Sequence, residues 1–355
     1  MDFTPTEDRR MLADSLSRFL ADTCPLDARK SKAYDAPFHD PAAFAGLAEL
    51  GALMALAPES AGGMGGAGFD IATVFEELGR VVCPEPILPV AMAVPLFLAG
   101  DADLDPVFSG ETRLAIAIGE PEAPWSLDHL ATAAVKGAEG WQLTGRKSLV
   151  YGANDADTIL VVARVPDGLA TFSVKATDAE LTGYGLMDGG GAAELFLDNT
   201  PATLLCTGDG PVKDALARGR LALCAEALGA MQTAQAYTMD YLGARKQFGV
   251  PIGSFQALQH RMIDMMIEIE QVRSIVTLAA DRLDTEARDH TIAMAKSLTG
   301  RVCRHVAEES IQMHGGIGMT WEADISHVAK RLTLIDAQLG DEDFHLSTVM
   351  TALQA

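Results

Sequence analysis

The sequence predicts an α+β multidomain chain. An N-terminal helical domain covers residues 1–110, a middle β-barrel or sandwich 111–208, and a C-terminal helical bundle 209–355. Three observations carry this reading. Apolar residues of the first hundred positions recur at helical spacing. Between about 112 and 200 the apolar runs become short and are separated by Gly, Asp and Pro clusters, as in a compact β domain. From about Val212 helical texture returns in longer pieces.

The elements follow in order. Residues 7–20 place Met11, Leu12, Leu16, Phe19 and Leu20 on one helical stripe. Residues 44–56 and 69–82 read the same way, with Asp70 near a helix start, where a carboxylate suits the dipole. Pro84, Pro86 and Pro89 precede a further apolar helix over 90–98. Strands are expected at 114–118, 141–144, 148–151, 158–163, 170–174 and 194–197. Helices then follow at 214–242, 255–283, 290–314, 323–338 and 342–353.

Composition excludes several functions. The 355 residues carry 27 Lys+Arg against 49 Asp+Glu, a balance opposed to non-specific nucleic-acid binding. The longest apolar stretch, Ile87 to Ala99, is too short to span a bilayer. The Met1-Asp2-Phe3-Thr4 opening lacks the pattern of a signal peptide, so a cytoplasmic location is expected. Cys24, Cys83, Cys206, Cys224 and Cys303 are scattered and form no C-x-x-C pair, so neither disulfides nor a metal site are expected.

Three glycine-bearing segments invite a chemical reading. Gly63-Met64-Gly65-Gly66-Ala67-Gly68 matches G-x-G-x-x-G by letter. A helix, not a strand, is expected before it, so a flexible interhelical loop is the better reading. Arg245-Lys246-Gln247-Phe248-Gly249-Val250-Pro251-Ile252-Gly253-Ser254-Phe255-Gln256 joins two long helices, with Ser254 as expected N-cap. Arg245 can grip a pyrophosphate with two N–H groups, Phe248 can cover an aromatic ring, and Gln247 or Gln256 can bond ribose or phosphate. An ordinary interhelical turn with a surface arginine competes with this reading. Gln312-Met313-His314-Gly315-Gly316-Ile317-Gly318-Met319-Thr320-Trp321-Glu322 ends another long helix. Its glycines allow positive φ and close approach, and a helix expected near Trp321 would aim N–H groups at an anion. A simple glycine stop is the alternative, with His314 structural.

Together the two C-terminal segments resemble the FAD-binding signatures of the acyl-CoA dehydrogenase family. The helix–β–helix order resembles that family along essentially the whole chain, as do Met1-Asp2-Phe3 and the Ala61-Gly62-Gly63 loop. The resemblance implies an acyl-CoA dehydrogenase-like fold with a C-terminal four-helix bundle, and FAD as cofactor. Arg245, Gln247, Phe248, Gln256, Gln312, Gly315 and Gly316 would be contacts donated to a flavin seated in a neighbouring subunit.

The departures matter equally. One family position for the catalytic glutamate falls on Leu339 before Gly340, and the other, in the long helix that contains Met231, falls on Gly219 before Arg220. Neither can accept a proton. The family's Trp-x-Thr flavin contacts fall on Leu149 and Tyr151, and its acidic Thr-Glu-Pro loop is reduced to Gly119-Glu120-Pro121. Asp341 stands where a small hydroxyl usually approaches the flavin. The resemblance therefore implies the base-free subunit of an α2β2 acyl-CoA dehydrogenase, of the kind that acts on bulky acyl-CoA substrates such as steroid side chains. A homologous catalytic subunit, an acyl-CoA and an electron-transfer flavoprotein would be its partners. Two alternatives stand beside it. One is a self-sufficient homo-oligomeric enzyme with a relocated base at Asp336, Asp341 or Glu226. The other is a binding or scaffold protein that keeps the fold without redox chemistry.

Overall fold

A computed structural model describes residues 5–32 and 34–354; the Met1-Asp2-Phe3-Thr4 opening lies outside them. Helix α1 spans Glu7–Thr23, capped by the Thr6 hydroxyl, which accepts from the Arg9 N–H, with Glu7 and Asp8 in the first turn. A short helix α2 (Leu26–Lys32) follows, which hydrophobic periodicity alone does not reveal. Helix α3 (Pro41–Glu49) starts at an Asp40 cap and stops well short of the expected residue 56. The reason is Gly51, whose φ of +84° turns the chain into a separate 3-10 turn, Met54–Leu56. Helices α4 (Gly68–Arg80), α5 (Leu88–Ala99) and α6 (Asp105–Phe108) complete the N-terminal part. Asp70 reaches back to accept the Ala67 N–H at 2.9 Å, a cap at the start of α4.

All seven strands of the main sheet lie between Leu114 and Thr207: β1 (Leu114–Ala117), β2 (Ala133–Gly137), β3 (Gly140–Tyr151), β4 (Thr158–Val165), β5 (Gly168–Lys175), β6 (Glu180–Gly185) and β7 (Gly191–Thr207). Strands β4, β5, β7, β3 and β2 pair in that order, and a parallel bridge from Ala133 to Arg164 returns β2 to β4. That closes a small barrel and removes most free strand edges. Strand β1 adds to β4 in parallel, and β6 adds antiparallel to β7. Leu143, Val150, Ile159, Val161, Phe172, Leu195 and Leu197 fill the interior.

Two expected strands, 141–144 and 148–151, are one. Register shifts at Gly145 and before Val150 let β3 continue where the sequence suggests a break. Strands β2 and β6 escaped expectation because both are largely exposed and lack an alternating apolar pattern.

Helix α7 (Asp209–Ala244) leads to a minimal hairpin of β8 (Lys246–Gln247) and β9 (Val250–Pro251). Helices α8 (Gln256–Arg282), α9 (Arg288–His314), α10 (Asp324–Ala337) and α11 (Glu342–Gln354) follow. Ser254 is not the cap of α8: its hydroxyl donates to the Pro251 carbonyl at 2.7 Å, and Phe255 occupies the cap position without a side-chain bond. Trp321 likewise does not begin a helix; α10 starts at Asp324.

The chain divides into two compact units. One combines Met1–Leu26, Ile71–Cys83 and Arg220–Ala355, and the other Asp27–Asp70 and Pro84–Gly219. In the first, α9 packs on α8, α10 and α11, and α4 crosses α7 at two glycines. A Cβ on Gly79 would strike the Glu226 carbonyl, and one on Gly229 the Glu76 carbonyl, so the two backbones touch directly. No helix among the described residues is long and apolar enough to cross a membrane.

Candidate functional site

The fold gathers the two C-terminal motifs at one end of the bundle. Arg261 on α8 holds Glu309 on α9 through two bonds of 2.6 and 2.9 Å. The Tyr241 ring near the end of α7 stacks on the His314 ring at the end of α9, with centroids 4.5 Å apart and planes 24° apart. The hairpin β8–β9 closes with the Ile252 N–H on the Arg245 carbonyl. Beyond His314, Gly315 takes a φ of +69° and opens a 3-10 turn, Gly315–Met319.

This end of the bundle carries surface suited to a ligand. Arg245, Gln247, Gln256 and Gln312 are exposed, and among the described residues their side chains make no hydrogen bond or ion pair. Phe248 is 92% exposed, touching only the edge of Phe255, and a ring so placed gains by being covered. A Cβ built on Gly249, Gly315 or Gly316 would meet nothing within 4 Å, so these backbones face open space. Free polar groups, an uncovered aromatic ring and accessible backbone fit the phosphate and ribose part of a dinucleotide.

The two positions at which the resemblance expects a base are also well defined. Gly219 is buried within α7. Leu339 sits in the α10–α11 loop with a φ of +56°, before Gly340 at +106°. Three side chains grip this loop. Lys296, fully buried on α9, donates to the carbonyls of Ile335, Asp336 and Gly340 at 2.8–2.9 Å. Arg220 Nε and His345 Nε2 both donate to the Leu339 carbonyl, at 2.9 and 3.1 Å. Burial lowers the Lys296 pKa and pushes Arg220 down to about 10. Burial and these two cations push His345 down to about 3, so its imidazole is neutral. The loop is thus tightly held, yet it presents an aliphatic side chain.

Each relocated-base candidate has a structural partner. Glu226 is buried and clasped by Arg331 through two bonds of 2.6 and 2.8 Å. Asp336 Oδ1 accepts the Glu342 N–H at 3.0 Å, and Gly300 faces it because no Cβ would fit there. Asp341 Oδ1 accepts the Phe344 N–H at 2.8 Å, the usual bond of a helix N-cap. If neither aspartate transfers a proton, Asp336→Asn and Asp341→Asn should keep most turnover in an active assembly. A fall in kcat of about 10³-fold in either, with folding intact, would identify a base.

In the barrel, Leu149 takes a φ of +52° and is 45% exposed. Glu194 holds this bulge: its carboxylate accepts from the Ser148 and Tyr184 hydroxyls at 2.8 and 2.9 Å and from Arg146 at 2.9 Å. Burial and the adjacent Glu194 push the Tyr184 phenol up to about 12. Leu149 supplies neither an aromatic face nor a hydroxyl. Glu120, in the shortened Gly119-Glu120-Pro121 loop, bonds Lys147 and the Ala131 and Thr132 N–H groups. Burial raises its pKa, but these donors outweigh it and bring the carboxyl down to about 2. Its role is to close the 120–132 loop.

The Gly63–Gly68 segment is a packed loop. The amides of Gly63, Met64, Gly65 and Gly66 bond carbonyls of residues 54–58, and a Cβ on Gly66 would fall 2.6 Å from Ala57. With the Ala67 amide bonded to Asp70, five consecutive amides are spent within the loop and α4, and the expected flexibility gives way to close packing. All five cysteines are buried and unbonded to one another. The sequence reading missed Tyr241, Lys296, Glu194 and Arg331. Each acts through a partner remote in sequence, so no local pattern marks them.

The fold and the site define a class of flavoprotein oxidoreductase. Sequence models of the acyl-CoA dehydrogenase N-terminal and C-terminal domains match residues 6–104 and 208–354. Acyl-CoA dehydrogenase IpdE2 of Mycobacterium tuberculosis is 31% identical over 337 residues, covering 92% of each chain. A solved steroid ACAD variant of the Tcur3481-Tcur3483 pair is 29% identical, covers 98% of both chains and has a TM-score of 0.91. The ChsE4-ChsE5 complex from Mycobacterium tuberculosis is 25% identical at the same TM-score, covering 100% of this chain and 99% of that one. The chain belongs to the acyl-CoA dehydrogenase family, whose members bind FAD.

Proposed function

We propose that this chain is the flavin-completing, base-free subunit of a paired acyl-CoA dehydrogenase. The observation that carries the reading is the contrast between its two halves. The exposed, unengaged groups of Arg245, Gln247, Phe248, Gln256, Gln312, Gly315 and Gly316 suit contacts donated to a cofactor in another subunit. Gly219 and Leu339 occupy the two base positions, and Asp336, Asp341 and Glu226 are engaged in caps or an ion pair. On this reading 1–110, 111–208 and 209–355 serve as the three functional segments.

The reaction is α,β-dehydrogenation of an acyl-CoA thioester, in a cytoplasmic complex. FAD, when bound, supplies the hydride acceptor at its N5. In this chain Arg245 would hold the pyrophosphate, Gln247, Gln256 and Gln312 the ribose and phosphate oxygens, and Phe248 would exclude water from the ring beside it. The α-proton would go to a carboxylate of the partner subunit. Two similar structures carry names of two-component assemblies, one of them a steroid enzyme, and this supports an α2β2 form and a bulky substrate such as a steroid side-chain thioester. An electron-transfer flavoprotein would reoxidise the complex.

An apolar groove of about 760 Å³ also runs along α8, lined by Ile263, Met266, Ile267, Ile275, Leu278 and Leu298. Uncovered apolar surface of this kind is consistent with a chain built to assemble.

The test is flavin stoichiometry. The purified complex should hold one FAD per pair of unlike chains and turn over only when both chains are present. A homotetramer of this chain with one FAD per subunit and acyl-CoA turnover would overturn the reading.

A further inference from the structure

We propose that Tyr241 and His314 are a positioning pair, a strut that sets the hairpin at Arg245 and the turn at Gly315 in one fixed geometry for the cofactor. This rests on the reading of those two turns as donated FAD contacts, and assigns a role to the two residues just before them in the chain.

The contacts run without a break from one turn to the other. At the hairpin, the Ile252 N–H bonds the Arg245 carbonyl, and the Arg245 N–H bonds the Tyr241 carbonyl, both at 2.8 Å. The Tyr241 ring then stacks on His314. The His314 ring is itself fixed. Its Nδ1 lies 2.8 Å from the Ser310 carbonyl, and a carbonyl cannot donate, so Nδ1 carries the proton and ties the ring to its own helix. The turn beyond folds back over this residue, where a Cβ on Gly318 would lie 2.9 Å from the His314 Cβ. His314 is 9% exposed, although Gly315 and Gly316 beside it face open space.

The need for such a strut follows from the chemistry. Two turns from different helices must hold separate oxygens of one anion, and donors a few tenths of an ångström out of place lose much of their charge-assisted bonding. The exposed side chains of the hairpin and of the Gly315 turn make no hydrogen bond to each other among the described residues. The aromatic stack gives them a common reference at little entropic cost, since the rings lie against each other and His314 is tied to its own helix.

Hydrogen exchange on the chain without cofactor separates this from a local structural role. The reporters are the Ile252 amide in the hairpin and the Thr320 amide, which bonds the Ile317 carbonyl at the other turn. His314→Ala should speed exchange at Ile252, across the stack, by about two- to tenfold, and Tyr241→Leu should do the same at Thr320. His314→Phe, which keeps a stacking ring, should restore most of the protection. A purely local histidine would move Thr320 and leave Ile252 unchanged, and that result overturns the strut; so does failure of His314→Phe to restore Ile252. The assembled protein should lose FAD about tenfold more readily with His314→Ala and recover with His314→Phe. Coupled exchange without any change in FAD retention would refute the donated-cofactor role of the two turns while leaving their mechanical link intact.

Discussion

Glu226→Ala should cost about 3–5 kcal/mol of folding stability, read as a lowered urea midpoint with an unchanged slope. Glu226 is buried and Arg331 partly so, with side chains 7% and 12% exposed, and two short bonds join them. Removing the carboxylate takes away both charge-assisted bonds that it makes to the guanidinium in a largely desolvated site. The pair also fastens α7 to α10, the helix that precedes Leu339. A proton-transferring Glu226 would give a different result: a stable protein with little turnover. A loss of less than about 1 kcal/mol would refute the structural role assigned here.

Arg245→Ala should act oppositely, on the cofactor and not on the fold. The exposed side chain has no partner among the described residues, so stability should stay within about 0.5 kcal/mol of the parent. A bidentate, charge-assisted contact to a pyrophosphate is worth about 1.5–3 kcal/mol, or roughly 10- to 150-fold in affinity. Flavin titration of the assembled complex measures it. Arg245→Lys should recover only part of the affinity, because an ammonium cannot grip two oxygens in one plane. Unchanged flavin affinity in Arg245→Ala would remove this residue from the site.

The order of helices and strands was legible because burial imposes periodicity on local sequence. What escaped was set elsewhere. Gly51 ends α3, since its backbone enters a left-handed turn inside an otherwise helical pattern. Strand β3 runs on through Gly145 because neighbouring strands supply the pairing that its own sequence does not demand. Ser254 has the chemistry of a cap, but its hydroxyl is used one turn earlier. The same division holds around the candidate site. Leu339 and Gly219 were reached by counting along the chain, which says nothing of the side chains that hold the Leu339 loop. Glu226 stood among the relocated-base candidates because the partner that engages it, Arg331, lies 105 residues away. Tyr241 and His314 carry no local sign of their stacking, which depends on how α7 and α9 end together.

The crossing of α4 and α7 at Gly79 and Gly229 has a bearing on both of these regions. With backbone against backbone there is no layer of side chains to yield, so the spacing behaves as a ruler with a single graduation. Helix α7 carries Arg220, which fixes the Leu339 loop, toward one end and Tyr241 at the other. Those two residues stand about 30 Å apart along its axis, at 1.5 Å per residue. One added methyl at either glycine would displace the helix as a whole. It would disturb the Leu339 loop and the end of α7 at Tyr241 together, though neither lies near the substitution in sequence. Two residues without side chains therefore set where α7, and the groups it carries at Arg220 and Tyr241, can lie against α4.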